Sequence, residues 1–224
     1  MPGVIFDLDG TLVDSYSAHF HAWTSIAEDL GHTLTEPEFQ RQFGLKNEPI
    51  LAELHAWTGR TPPSDAAVAA LADEKERRYR ARISEVFPAM AGAGGLIASL
   101  RGAGWKVAVG SSAPRANIDF CLDRFQQSGV SFDAVACGCD VSRGKPEPDV
   151  FLLAADRLGV RPEACAVVED ASAGIEAARR AGMASVGLCS TGRTRDEFAG
   201  ADHVVDTLDE LGPDVFARLL GHTA

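Results

Sequence analysis

Six short apolar runs most constrain what this chain can fold into: residues 4–6, 107–109, 134–137, 165–168, 185–188 and 203–205. Gly or Asp flanks most of them. Most of the runs are continuously apolar, as expected for parallel strands buried on both faces. Between them, residues 95–100, 116–125, 149–158 and 172–181 place apolar side chains three and four apart, the helical spacing. Strand, helix, strand is the rhythm of a parallel α/β sheet.

One interval breaks that rhythm. Residues 15–86 carry no strand pattern, and helical patterns fill them at 18–30, 36–43, 48–57 and 66–83, punctuated by Gly31, Gly44 and the stretch 59–63. The interval is too long for a single crossover. It reads as an inserted helical cap domain (15–86) on a Rossmann-like core made of residues 1–14 and 87–224. Residues 12–15 and 86–90 are the expected hinges, and a domain on two short linkers can open and close over a site.

The totals exclude several classes. The chain has 224 residues, with 46% hydrophobic and 24% charged, ordinary values for a soluble globular protein. No apolar run approaches a membrane span, and the start MPGVIFDLDG lacks the basic region of a secretory signal. A net charge of −11 argues against nucleic acid, whose phosphates need a basic surface. The five cysteines are odd in number and contain no CxxC, so reduced thiols in a cytoplasmic protein are expected. Cys137-Gly-Cys139 offers two metal ligands, but no second pair matches it, and structural zinc sites need four.

Ligands of open parallel sheets bind beyond the carboxyl ends of the strands, so the residues that follow each run matter most. Asp7 and Asp9 follow the first run, Ser111 and Ser112 the second, and Glu169 and Asp170 the fourth. Lys145 lies in the loop RGKPEPDVF, just before a helix. Clustered carboxylates repel unless a cation intervenes. Mg²⁺ takes carboxylate and carbonyl oxygens and often bridges to a phosphate. A lysine, a serine and two helix starts supply donors for phosphate oxygens. The acids are therefore expected to hold a metal, and metal and lysine together a phosphoryl group.

FDLDGTLVDS, VGSS, GKPEPDVF and VVEDASAGI, in this order, resemble the four motifs of the haloacid dehalogenase superfamily. The helical insert after the first motif resembles the branch that contains β-phosphoglucomutase and many sugar-phosphate phosphatases. The resemblance implies a nucleophile at Asp7, forming an aspartyl phosphate, and a general acid–base at Asp9. It implies phosphate contacts from Thr11, Ser111 and Ser112, and charge compensation by Lys145. It places Mg²⁺ on Asp7, Asp9 (through its carbonyl), Glu169 and Asp170.

In the cap, the resemblance points to His19, Lys46 and Asn47 as substrate contacts, with Arg115 after the second motif. Asn47 stands where the mutase has an arginine, and asparagine cannot supply the same charged, two-pronged grip. The first motif reads DGTL where mutases commonly read DGV. These departures favour a phosphatase acting on a small phosphorylated metabolite, a sugar phosphate, over a phosphohexomutase. A haloalkanoic-acid dehalogenase would need neither metal nor phosphate clamp. A phospho-acceptor receiver domain would lack the cap. The expected assembly is a monomer or small homo-oligomer.

Overall fold

The computed structural model describes residues 1–43, 45–60, 63–190 and 192–221. Gly44, in the cap loop expected to meet substrate, and residues 61–62, in the expected break between two helices, lie outside the described residues. Six strands form one parallel sheet: β1 (Gly3–Phe6), β2 (Lys106–Ser111), β3 (Ala134–Cys137), β4 (Cys165–Glu169), β5 (Ala184–Leu188) and β6 (His203–Val205). Their order is β3-β2-β1-β4-β5-β6. The chain leaves β1 for β2 and β3 on one side, then crosses to β4 on the other. Such a reversal opens a crevice at the carboxyl ends of the strands.

Register decides what meets there. Phe6 pairs with Val109 of β2 and with Val168 of β4. Asp7, one residue beyond Phe6, therefore lies between the ends of those two strands, next to Glu169. Its backbone N–H continues the ladder, donating to the Val168 carbonyl at 3.0 Å. Val4, Ile5 and Phe6 have no solvent exposure, which is why the strand is an unbroken apolar run.

The chain divides into two compact units, Met1–Asp14 with Ala89–Ala224, and Ser15–Pro88. The return boundary falls after Pro88, where the sequence suggested residue 86. In the first unit, α5 (Ala93–Gly102), α6 (Arg115–Gln127), α7 (Asp149–Leu158), α8 (Ser172–Arg180) and α9 (Pro213–Leu219) accompany the sheet. Helix α7 packs on β1, β2 and β3, and α8 on β4 and β5. Ile5, Phe151, Ala154, Val167, Ala178 and Met183 share one core cluster.

The second unit holds α1 (Tyr16–Leu30), α2 (Glu36–Gln42), α3 (Asn47–Trp57) and α4 (Asp65–Glu85). Trp23, Ile26, Phe39, Leu51 and Leu54 form its core. Two helices begin at capping residues ahead of their first apolar position. The Thr35 N–H donates to Glu38 at 2.7 Å at the start of α2. The Ser64 hydroxyl accepts the Ala67 N–H at 3.4 Å at the start of α4. Such caps satisfy the orphan N–H groups of a first turn.

One expectation is corrected. Cys137 and Cys139 are joined in a disulfide, their Cα atoms 5.2 Å apart, while Cys121, Cys165 and Cys189 take no part in one. An odd count fixes only that one thiol is left over. It does not reveal that the turn Gly138–Asp140 folds one cysteine back onto the other. Among the described residues, no helix is long and apolar enough to cross a membrane.

Candidate active site

At the carboxyl edge of β1 and β4, the Lys145 ammonium donates to Asp7 Oδ1 at 2.5 Å and to Glu169 Oε1 at 2.7 Å. Lys145 arrives on the loop before α7, and its Nζ lies 4.7 Å over the ring of Phe151 on that helix. Asp7, Glu169 and Asp170 are 6%, 2% and 3% exposed. Two buried carboxylates thus share one ammonium, and a third buried acid, Asp170, follows Glu169 in the chain.

The ionisation of the site follows from that crowding. Burial pushes the Asp7 carboxyl up to about 7; Lys145 pulls it down, while Glu169 and Asp9 add repulsion. Asp170 is also raised well above the carboxylate range, by burial first and then by Glu169 and Asp7, with Arg193 and Lys145 opposing. Burial alone would favour a neutral Lys145, but Asp7 and Glu169 outweigh it and hold the ammonium above its ordinary range. Glu169 has a further partner: its Oε2 accepts the Ala171 N–H at 2.6 Å, just ahead of α8.

The loop after β1 is shaped to admit Asp170. Gly10 has φ +80°, a left-handed conformation, and a Cβ there would run into the Asp170 carboxylate. Only glycine meets both demands. Asp9, half-buried, forms an isolated bridge with Val13. Thr11 is fully buried, and its hydroxyl has no hydrogen-bond partner among the described residues, a donor that a ligand oxygen would satisfy. At the end of β2, the buried Ser111 hydroxyl accepts the Ala113 N–H at 3.1 Å. Ser112 is half-buried beside it.

Two residues here escaped the sequence reading. The Ser190 hydroxyl donates to the Gly10 carbonyl at 2.5 Å. Arg193 places its charge near Asp170, and its Nε is buried without a hydrogen-bond partner among the described residues. Both follow β5. The rule that ligands gather at strand carboxyl ends, applied to the fifth run as to the others, would have flagged them.

Arg115, the candidate after the second motif, has a partner in the core unit. Its guanidinium donates to Asp140 Oδ2 at 2.7 Å, binding the start of α6 to the turn after β3. The remaining candidates lie in the helical unit. The His19 ring is buried and stacked on Tyr79, centroids 3.8 Å apart and planes at 5°. Lys75 Nζ lies 2.9 Å from His19 Nδ1 and donates to Glu76 Oε1 at 2.9 Å. The Asn47 amide donates to the same Glu76 oxygen at 2.8 Å. Lys46 is exposed at the N-cap of α3. Lys75 and Glu76 were missed, because they sit in the charged run DEKERRYR, which reads as a solvated face.

The donor set of Asp7, Glu169 and Asp170 consists of oxygen alone. Two of the three carboxyls are pushed toward protonation in the absence of further positive charge. Those residues fit a hard divalent cation, which oxygen ligands select and which would restore the carboxylate forms.

A parallel sheet reversing at β1, with acids, a serine and a lysine converging on its carboxyl edge and a helical unit inserted after the first strand, defines a haloacid dehalogenase-type α/β hydrolase. The family of haloacid dehalogenase-like hydrolases matches residues 1–182, and the chain belongs to it. It is 35% identical to a β-phosphoglucomutase of Bacillus subtilis strain 168, over 94% of this chain and 92% of that one. It is 36% identical to hexitol phosphatase A of Escherichia coli K12, over 93% and 92%. The fold is similar to the crystal structure of a β-phosphoglucomutase from Clostridium difficile, with a TM-score of 0.86 and 26% identity, covering 99% of this chain and 97% of that one.

Proposed function

We propose that the protein is a Mg²⁺-dependent phosphatase that hydrolyses a small phosphorylated metabolite, a sugar phosphate, through an aspartyl phosphate on Asp7. The observation that carries this reading is the Lys145 ammonium shared by Asp7 and Glu169. It opposes the burial that pushes the Asp7 carboxyl toward protonation and places positive charge beside an incoming phosphoryl group.

Asp7 attacks phosphorus, and the bond to the leaving oxygen breaks. Asp9 gives that oxygen its proton, then accepts one from the water that cleaves the acyl phosphate. Thr11, Ser111 and Ser112 offer hydroxyl and backbone donors to the phosphoryl oxygens. Asp7, Glu169, Asp170 and the Asp9 carbonyl would hold Mg²⁺, which when bound supplies positive charge to the transferring phosphoryl oxygens. His19, Lys46 and Asn47 of the helical unit are the proposed substrate contacts of a cap. Arg115, held by Asp140, is a further proposed substrate contact.

A phosphomutase is the second reading, favoured by the 35% identity to a chain of that name. A panel of sugar phosphates and other phosphate esters, assayed with and without Mg²⁺, separates the two. Steady release of inorganic phosphate, abolished by Asp7→Asn, is expected. Isomer formation that depends on a bisphosphate activator and frees no phosphate would establish the mutase instead. An inert protein across the panel would overturn both.

A further inference from the structure

The phosphoryl chemistry gives Cys137 and Cys139 no task, yet their position ties them to it. Cys137 ends β3 directly opposite Ser111 of β2 in the parallel register. Gly138, between the two cysteines, packs so tightly on the backbone of Ser112 that a Cβ there would lie 2.6 Å from the Ser112 carbonyl oxygen. The turn that carries the disulfide is therefore in backbone contact with the serine loop, and it cannot change shape without moving that loop.

The two sulfurs differ in access. Cys137 is fully buried, whereas Cys139 is exposed. The Cys139 N–H donates to Cys137 Sγ at 3.2 Å. Arg115 and Arg157 both donate to Asp140 Oδ2 at 2.7 Å, at the end of the same turn. The backbone donor on Cys137 Sγ favours its thiolate, so Cys137 is the leaving group and exposed Cys139 the sulfur an attacking thiol can reach.

We propose that Cys137 and Cys139 form a reversible dithiol–disulfide site, exchanging with low-molecular-weight thiols and disulfides, whose state sets how tightly Ser111 and Ser112 hold a phosphate group. The exchange half stands on its own, while the phosphate half rests on the phosphatase reading. In reduction, a small thiolate attacks Cys139 Sγ, the bond to Cys137 breaks, and the electron pair leaves on Cys137 Sγ, which takes a proton from water. A second small thiolate attacks the sulfur of the first in the mixed disulfide. It releases Cys139 as thiolate, which is protonated, and departs as the small disulfide. Two small thiols are oxidised and one protein disulfide is reduced. Oxidation runs the same steps backward, with the small disulfide as oxidant. The closed disulfide holds the turn against Ser112, and the dithiol loosens it.

A metal site is the competing use of the same atoms, since Cys137, Cys139 and Asp140 each bring a ligand atom within 4.8 Å of the others. Asp140 Oδ2, however, already accepts from Arg115, Arg157 and the Cys137 N–H, and three ligands fall short of a closed structural site.

The full-length protein, equilibrated in glutathione buffers of stepped thiol-to-disulfide ratio and trapped by alkylation, tests the exchange. The peptide holding both cysteines should carry two alkyl groups at the reducing end of the series and none at the oxidising end, reversibly, and Cys139→Ser should abolish the alkylation-resistant disulfide form. Cys165, whose thiol burial pushes up to about 12, is the unreactive internal control. On reduction, the inhibition constant of inorganic phosphate should rise about fivefold, the equivalent of one weakened hydrogen bond, and Cys139→Ser should be insensitive to the buffer. Amide hydrogen exchange at Ser112 and Ala113 should quicken on reduction even if no phosphate ester proves to be a substrate, which separates this inference from the phosphatase reading. Thiols that stay reduced at every ratio would overturn the proposal. So would protection of both thiols by Zn²⁺ in place of disulfide formation, or a pair that cycles while phosphate inhibition and exchange at the serine loop stay constant.

Discussion

Lys145 and Asp7 lie 138 residues apart in the chain and are joined by a hydrogen bond of 2.5 Å. The sheet order makes this meeting possible. Asp7 leaves the central strand, and α7, packed across β1, β2 and β3, delivers Lys145 from its leading loop with Phe151 beneath the ammonium. The second arm of that ammonium, on Glu169, holds the ends of β1 and β4 in one electrostatic unit.

Lys145→Met removes the positive charge and leaves Asp7 facing Glu169. Removing one member of a buried ion pair costs about 3–5 kcal/mol, relieved in part when the acids take up protons. The metal-free variant should therefore melt below the wild type, and by a wider margin near pH 8 than near pH 5. Phosphate release should fall by about 10²–10³, the usual effect of losing a group that stabilises charge in a transition state. Equal melting temperatures at both pH values would show that the lysine does not hold this cluster together.

The raised Asp7 carboxyl sets a pH dependence for the metal-free protein. Its folded value of about 7 lies above the ordinary 3.8, so the folded state binds more protons than the unfolded state between those values. Stability from this group is therefore full below the lower value and declines as pH rises through the window. Mg²⁺ competes with the proton, so it should raise the melting temperature more near pH 8 than near pH 5. Scans with Mg²⁺ and with chelator at the two pH values check this. A shift independent of pH would remove the carboxyls as the metal's ligands.

The strands were legible because parallel strands with two buried faces leave continuous apolar runs. Residues 134–137 and 203–205 were read with the same bounds as β3 and β6. Helix α7 was equally clear, since Val150, Phe151, Ala154, Ala155 and Leu158 mark its buried face. Helix α9 was not read, because Phe216 is its only buried residue and one side chain makes no periodicity. Lys75 and Glu76 could not be placed from the chain alone. Whether a charge on a charged helix is solvated or buried depends on which face the neighbouring helix covers. The disulfide was missed for a related reason: parity is a property of the sequence, but pairing depends on the turn.

The pair formed by Lys75 and Glu76 is buried on both sides, with side chains 4% and 7% exposed. Lys75→Met removes the buried ammonium beside Glu76 and should cost about 3 kcal/mol, whereas Lys75→Met with Glu76→Leu should recover most of the loss. Urea unfolding of the wild type, both single variants and the double variant gives the coupling. Strictly additive losses would mean that the two charges do not support one another.

Asp140 should set the acid sensitivity of the turn after β3. The Cys137 N–H first, then Arg157 and Arg115, hold its carboxyl down to about 2, against an ordinary 3.8. A depressed folded value means that the unfolded state binds the proton more readily. The contribution to stability is therefore present above the ordinary value and lost as pH falls through it toward the folded one. The side chain is 20% exposed and its partners face solvent, so the charge contributes about 1 kcal/mol after screening. Asp140→Asn keeps an oxygen for the Cys137 N–H and removes only the charge. The gap in unfolding free energy between wild type and Asp140→Asn should be constant from neutral pH down to about 5, then close as pH approaches 2. A gap that stays open to the lowest pH would mean that shape, rather than charge, makes Asp140 stabilise the turn.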